Sequence, residues 1–192
     1  MQVVHFLTRF VNTYGPHFPN IVNDYAAILW IIHNHNVHSL CEIGTWEGYG
    51  SLCFWLNSDL HRQKSIDICQ DFVGGGAGYH SNLDRYGKYF VGITPIVLEK
   101  ADTSEYVPRG NEVYDMVFID GNHDAENVKI DTKLAVKLGA KIIAYHDYLN
   151  SNPGVDVFID GLSKQMDILH VGGSAVVFFE VTPATVAIIN AL

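Results

Sequence analysis

The run Tyr114-Asp-Met-Val-Phe-Ile-Asp120 is apolar almost throughout and stops abruptly at a carboxylate followed by Gly121. A strand with one wet face alternates polar and apolar residues, so an unbroken apolar run calls for a strand covered on both faces. Similar short runs recur at 40–43, 65–69, 96–98 and 141–145. Helical spacing separates several of them, at about 51–60, 81–90 and 125–138, the last ending at Gly139 as a C-cap. Strand and helix in alternation make βαβ units and a parallel sheet. Two leading helices are expected at about 5–14 and 20–33, broken by Gly15-Pro16, and another at about 155–166. The segments 167–170 and 175–181, separated by Gly172-Gly173, read as a closing antiparallel hairpin. The expected fold is therefore α/β: a doubly wound, Rossmann-like, mostly parallel seven-stranded sheet with a C-terminal antiparallel hairpin and helices on both faces. We expect one domain over 1–192, with leading helices in 1–37 and the sheet core in 38–192.

The stretch His38-Ser-Leu-Cys-Glu-Ile-Gly-Thr-Trp-Glu-Gly-Tyr-Gly-Ser51 carries an apolar strand into a glycine-rich turn and then a helix. Gly44 lets the chain turn, while Gly48 and Gly50 let backbone approach a ligand at the helix start. The spacing E-x-G-x-x-x-G-x-G differs from the G-x-G-x-x-G that fits a pyrophosphate on a helix N-terminus. Glu42 ahead of the first glycine would repel a pyrophosphate and suit a cationic, amine-bearing ligand.

Ligands of open α/β sheets sit beyond the carboxyl ends of the strands, and here those ends are repeatedly acidic: Glu42, Asp67, Asp102, Asp120 and Asp147. Asp67 stands where a carboxylate can accept from both ribose hydroxyls of a nucleoside, with Asp71 as its competitor. Asp102-Thr103 reads equally as the cap of a short helix. The glycine-rich segment 71–78 suits a loop near the cofactor edge.

The glycine turn resembles motif I of the class I S-adenosylmethionine-dependent methyltransferases. Downstream, Phe118-Ile-Asp-Gly-Asn-His123 and the later His146-Asp-Tyr148 resemble a small-molecule O-methyltransferase-like branch with an F-I-D-G-x-H strand end. The likeness runs from His38 to about Tyr148. It implies an S-adenosylmethionine cofactor held by Glu42, Gly44, Thr45, Trp46, Gly48, Gly50, Ser51, Asp67, Asp102, Thr103 and Asp120. Asp102-Thr103 would face the adenine edge.

Methyl transfer is an in-line displacement, so positioning and deprotonation of the acceptor carry the catalysis. His123 is the first candidate base, because neutral imidazole is available near pH 7, and His146 the second, with Asp120 beside them. Asp120 and Asp147 suggest a divalent ion such as Mg²⁺ or Mn²⁺, and the nearby histidines admit Zn²⁺. In catechol-type relatives an asparagine follows the later acid and a lysine the earlier one. Tyr148 and His123 stand in those places here. Tyr14, Trp46, Tyr49, Tyr79, Tyr145 and Tyr148 are candidates for an aromatic acceptor pocket.

Two other readings compete. Gly121-Asn-His-Asp124 matches the G-N-H-D string of binuclear metallophosphoesterases, and Asp59-Leu-His61 offers a D-x-H, but no downstream G-H-x-H exists. A non-catalytic cofactor-binding module of the same fold is the other. The net charge of -9, with 12 basic and 21 acidic residues, disfavours a nucleic-acid partner. Cys41, Cys53 and Cys69 are odd in number and lack C-x-x-C spacing, which speaks against a disulfide framework or zinc cage. With no secretory signal pattern and no apolar run near 18 residues, the expectation is a cytoplasmic protein free of the membrane, acting on a small-molecule methyl acceptor, with a homo-oligomer admitted.

Overall fold

A computed structural model describes residues 21–45, 49–68, 96–150 and 152–192. Its strands are β1 (Ser39–Ile43), β2 (Arg62–Asp67), β3 (Ile96–Lys100), β4 (Met116–Ile119), β5 (Ile142–Tyr145), β6 (Leu169–His170) and β7 (Val177–Glu180). They form one seven-stranded sheet in the order β3-β2-β1-β4-β5-β7-β6. The first five are parallel, whereas β7 runs antiparallel to both β5 and β6. This is the mostly parallel sheet with a closing hairpin that the residue pattern predicts.

The helices are α1 (Ile21–Asn34), α2 (Tyr49–Leu56), α3 (Ala125–Lys137), α4 (Pro153–Ser163) and α5 (Pro183–Ala191). All four residues of β4 and of β5 are buried, because successive side chains enter different cores. Met116, Phe118 and Ala144 pack with Ile28 of α1 and Phe54 of α2. Val117, Ile119 and Ile143 pack with Leu134 of α3, Ile159 of α4 and Ile189 of α5. Two cores on one sheet require helices on both faces.

Several boundaries differ from the sequence expectation, and two of them and one further helix have a clear physical reason. β2 begins at Arg62, not 65, because its first buried residues are polar and reach partners on neighbouring elements: Gln63 Nε2 donates to the Ser51 carbonyl at 2.9 Å, and the Lys64 ammonium meets Glu112 at 2.6 Å and also Glu99 and Tyr106. The helix after the glycine turn ends at Leu56, where Asn57 and Ser58 bond the carbonyls of Cys53 and Phe54. α5 was not anticipated. Its start is a capping box in which Thr185 takes the place usually held by an acid: Thr185 N donates to Thr182 Oγ1 and Thr182 N donates back to Thr185 Oγ1. The expected helices at 5–14 and 81–90 and the loop at 71–78 lie outside the described residues.

The strand order reverses between β1 and β4. The chain steps one way through β2 and β3, then returns to the centre and steps the other way through β5. The crevice beyond the carboxyl ends of β1 and β4 is the place where this architecture binds ligands.

Candidate active site

Gly44 leaves β1 at φ +81°, and a Cβ there would lie 2.2 Å from the Asp120 carbonyl oxygen and 2.5 Å from Gly121 Cα. Both the backbone angle and the close approach of the β4 exit loop demand glycine. Beneath this turn Glu42 is only 2% exposed. Its Oε2 accepts from Ser65 Oγ at 2.9 Å and from Ser51 Oγ, and Thr45 Oγ1 lies 2.9 Å from Ser51 Oγ. Burial pushes the Glu42 carboxyl up to about 7, against the pull of the hydroxyls of Ser51, Thr45 and Ser65 and with a further push from the Asp120 charge. A Cβ at Gly50 would come within 2.7 Å of Glu42 Oε1, so the start of α2 rests directly on this carboxylate. Asp67, the last residue of β2, braces the turn from the side: its Oδ2 accepts from Thr45 N at 2.9 Å.

The ends of β4 and β5 carry a second group. His146 Nδ1 lies 3.0 Å from Asp120 Oδ1 and 3.4 Å from Asp147 Oδ1, and its Nε2 lies 3.0 Å from Asp24 Oδ2 on α1. Despite the desolvation that opposes it, the charge of Asp120 and bonds to Asp120, Asp147 and Asp24 hold this ring well above the usual histidine range. Both ring nitrogens are thus engaged by carboxylates, and neither is free to take a proton. Asp147 adopts φ +63°, which an aspartate tolerates better than most residues. Its Oδ1 accepts from Asn150 Nδ2 at 2.7 Å, and its Oδ2 lies 3.0 Å from His123 Nε2. That contact has ion-pair distance without hydrogen-bond alignment, since His123 Nε2 has no hydrogen-bond partner among the described residues. Asp120 and Asp147 raise His123 to about 9. The premise of a neutral imidazole near pH 7 therefore does not hold for His123 in this arrangement. Asp120, His146 and Asp147 present one donor atom each, all within 4.8 Å of one another, a set that could hold a metal ion.

Asp102 is exposed and turned onto its own loop, where Oδ1 accepts from Ser104 N at 2.8 Å and Ser104 Oγ at 2.7 Å, which lowers its pKa. Thr103 supports a different carboxyl, Asp131 of α3, which is 2% exposed, has an Oδ1 without a partner among the described residues, and is pushed up to about 6 by burial. Two of the proposed pocket aromatics are committed elsewhere. Tyr145 is buried in the core with its hydroxyl 2.9 Å from Thr132 Oγ1, and Tyr148 donates to Asp160 Oδ1. Trp46, Gly48, Asp71, Tyr14 and Tyr79, as well as the Tyr49 side chain, fall outside what the structure describes.

Sequence reasoning missed Asp24, Tyr25, Ser65, Asn150 and Asp131. Tyr25 is buried beside the turn, its hydroxyl 3.5 Å from where a Gly50 Cβ would stand. Asp24 gave only the weak signal of an acid in the first turn of an apolar helix, which favourable dipole placement already explains. Tyr148 stands where relatives carry an asparagine after the later acid, and the asparagine that bonds Asp147 here is Asn150, three residues on. The D-x-H and G-N-H-D strings lie at opposite ends of the parallel strands, since Asp59 and His61 precede β2 whereas His123 follows β4.

A family model described as a methyltransferase domain matches residues 41–148, the span that contains the turn and both acidic strand ends. The chain belongs to this family. The methyltransferase chain has no significant sequence match among curated proteins. Solved structures resemble it in fold. An O-methyltransferase from Bacillus cereus in complex with S-adenosylhomocysteine superposes with a TM-score of 0.59 at 12% identity, covering 94% of this chain and 91% of that one. The Podospora anserina methyltransferase PaMTH1, also bound to S-adenosylhomocysteine, gives 0.59 at 16% identity over 90% and 86%. The N-methyltransferase NodS from Bradyrhizobium japonicum gives 0.57 at 12% identity over 84% and 95%. The shared architecture is the class I S-adenosylmethionine-dependent methyltransferase fold. No helix among the described residues is long and apolar enough to cross a membrane.

Proposed function

We propose that this methyltransferase-family chain transfers a methyl group from S-adenosylmethionine to an oxygen of a small molecule. The observation that carries the reading is the convergence, at the strand-order reversal, of the Gly44 turn with Asp120, His123, His146 and Asp147. The cofactor's chemistry, when it is bound, is an electrophilic methyl group on a sulfonium. The residues suit such a ligand: backbone without Cβ atoms at Gly44 and Gly50 permits close approach, and acidic strand ends favour a cation while disfavouring a pyrophosphate. In this reading the turn 44–51, with Gly44, Thr45, Trp46, Gly48, Gly50 and Ser51, holds the amino-acid end, with Glu42 acting on it through its field from beneath. Asp67 holds the ribose, Asp102-Thr103 borders the adenine, and Asp120 stands between cofactor and acceptor.

The acceptor hydroxyl sits beside His123, which is more accessible than His146. With His123 raised to about 9, its capacity to accept the hydroxyl proton grows with pH through that value. Asp120, Asp147 and His146 form the set that would hold a divalent ion, whose contribution is to orient and acidify the acceptor oxygen.

Calorimetry tests the reading. S-adenosylhomocysteine binds and NAD does not; Asp67→Ala weakens the binding by roughly 1.5 to 3 kcal/mol, about ten- to a hundredfold, through the loss of charge-assisted bonds. Binding of NAD without measurable binding of S-adenosylhomocysteine refutes the proposal.

A further inference from the structure

The residue that holds His146 in place comes from α1, outside the span 41–148 that the family model matches. Asp24 is 3% exposed, and both its oxygens are used: Oδ2 lies 3.0 Å from His146 Nε2, and Oδ1 accepts from Ala175 N at 2.7 Å, just ahead of β7. The carboxylate therefore cannot swing away from the ring without abandoning the hairpin. With Nε2 held, the other ring nitrogen is turned to Asp120 at 3.0 Å and Asp147 at 3.4 Å. Phe118 packs edge-on against the same ring at 6.3 Å between centroids, which further limits its rotation.

A histidine that binds a metal through one nitrogen donates the other N–H to a carboxylate in most known sites, and that partner sets the ring's orientation and basicity. We propose that Asp24 is a positioning residue that presents His146 Nδ1, together with Asp120 and Asp147, as a mixed nitrogen and oxygen donor set favouring imidazole-accepting divalent ions over Mg²⁺. The inference rests on the reading that these strand ends form the acceptor site. His146 Nδ1 would give up its proton to solvent on holding such an ion, while the Nε2 proton would stay on the ring, donated to Asp24. Imidazole suits ions such as Co²⁺ and Zn²⁺, whereas Mg²⁺ prefers oxygen and water.

The experiment is a Co²⁺ titration of the full chain followed by visible absorption, with parallel Mg²⁺ titrations. S-adenosylhomocysteine calorimetry on the same samples keeps a failed methyltransferase reading distinguishable from a failed inference. Wild type should bind Co²⁺ more tightly than Mg²⁺ and develop visible bands, and Asp24→Asn should bind Co²⁺ about 10- to 100-fold more weakly. Asp24→Asn cannot serve both partners, because one of its two side-chain positions becomes a donor. A second measurement needs no variant: nitrogen-15 spectra of the Zn²⁺-loaded wild type should show His146 metallated at Nδ1 and protonated at Nε2. Absence of Co²⁺ binding to folded wild type, equal affinity in Asp24→Asn, or a His146 ring bound through Nε2 or not at all each overturns the proposal.

Discussion

Glu42→Gln isolates the energetic cost of the carboxylate beneath the glycine turn. Glu42 is buried and its pKa is raised from 4.5 to about 7, chiefly by loss of hydration. A carboxyl in the unfolded chain ionises near 4.5, so between that pH and about 7 the folded state binds the extra proton. Stability contributed at this position is greatest at low pH and falls as pH rises through the window. At about 1.36 kcal/mol per pH unit, the total loss is roughly 3 kcal/mol. Glutamine keeps the shape and stays neutral; both serines bond the same oxygen, Oε2, so an amide oxygen in that position goes on accepting from Ser51 and Ser65 while the amide nitrogen takes the place of Oε1. The assay is urea denaturation of both proteins from pH 4.5 to 8. Asp131 titrates in the same window, pushed up to about 6, but it is common to both proteins and cancels in their difference. Relative to the variant, wild type should lose roughly 3 kcal/mol across the range, most of it below pH 7. A difference that does not change with pH would show that Glu42 is not the buried, reluctant acid described above.

Three further outcomes follow from the geometry. Gly44→Ala places a Cβ 2.2 Å from the Asp120 carbonyl oxygen at a left-handed φ, and should destabilise the fold by roughly 2 to 5 kcal/mol; an unchanged urea midpoint would contradict it. Lys64→Met strips the cation from Glu99 and Glu112, costing about 3 to 5 kcal/mol, part of which Glu112→Gln in the same chain should restore; thermal unfolding of the single and double variants measures both. If His123 is the base, kcat/KM should climb with pH toward about 9 and His123→Gln should abolish that limb, whereas a break near 6.5 would show that Asp120 and Asp147 do not hold its proton. Folding stability contributed by His123 has the matching sign: it is complete below about 6.5 and is lost as pH rises through about 9.

Much of the architecture was legible because it is written in local terms. Unbroken apolar runs such as 116–119 and 142–145 can only be strands buried on both faces, and Gly44 with Gly139 marks turns that need positive φ. The acids at the strand ends were legible for the same reason, since a parallel sheet brings all its carboxyl ends to one edge. Polar burial was not. Gln63 and Lys64 fall outside the apolar run that starts at 65, and only partners from α2, β3 and the loop at 106–112 make their burial in β2 possible. α5 escaped because its capping box uses threonine in the acid's place. The state of the candidate site was likewise a tertiary matter. A histidine's charge and free nitrogens depend on what packs against it, and Asp24 reaches His146 across 122 residues of sequence. Spacing along the chain could nominate His123 and His146, but only the folded arrangement of Asp24, Asp120 and Asp147 determines which ring is clamped and which remains accessible, because electrostatic energies follow distance and burial in space.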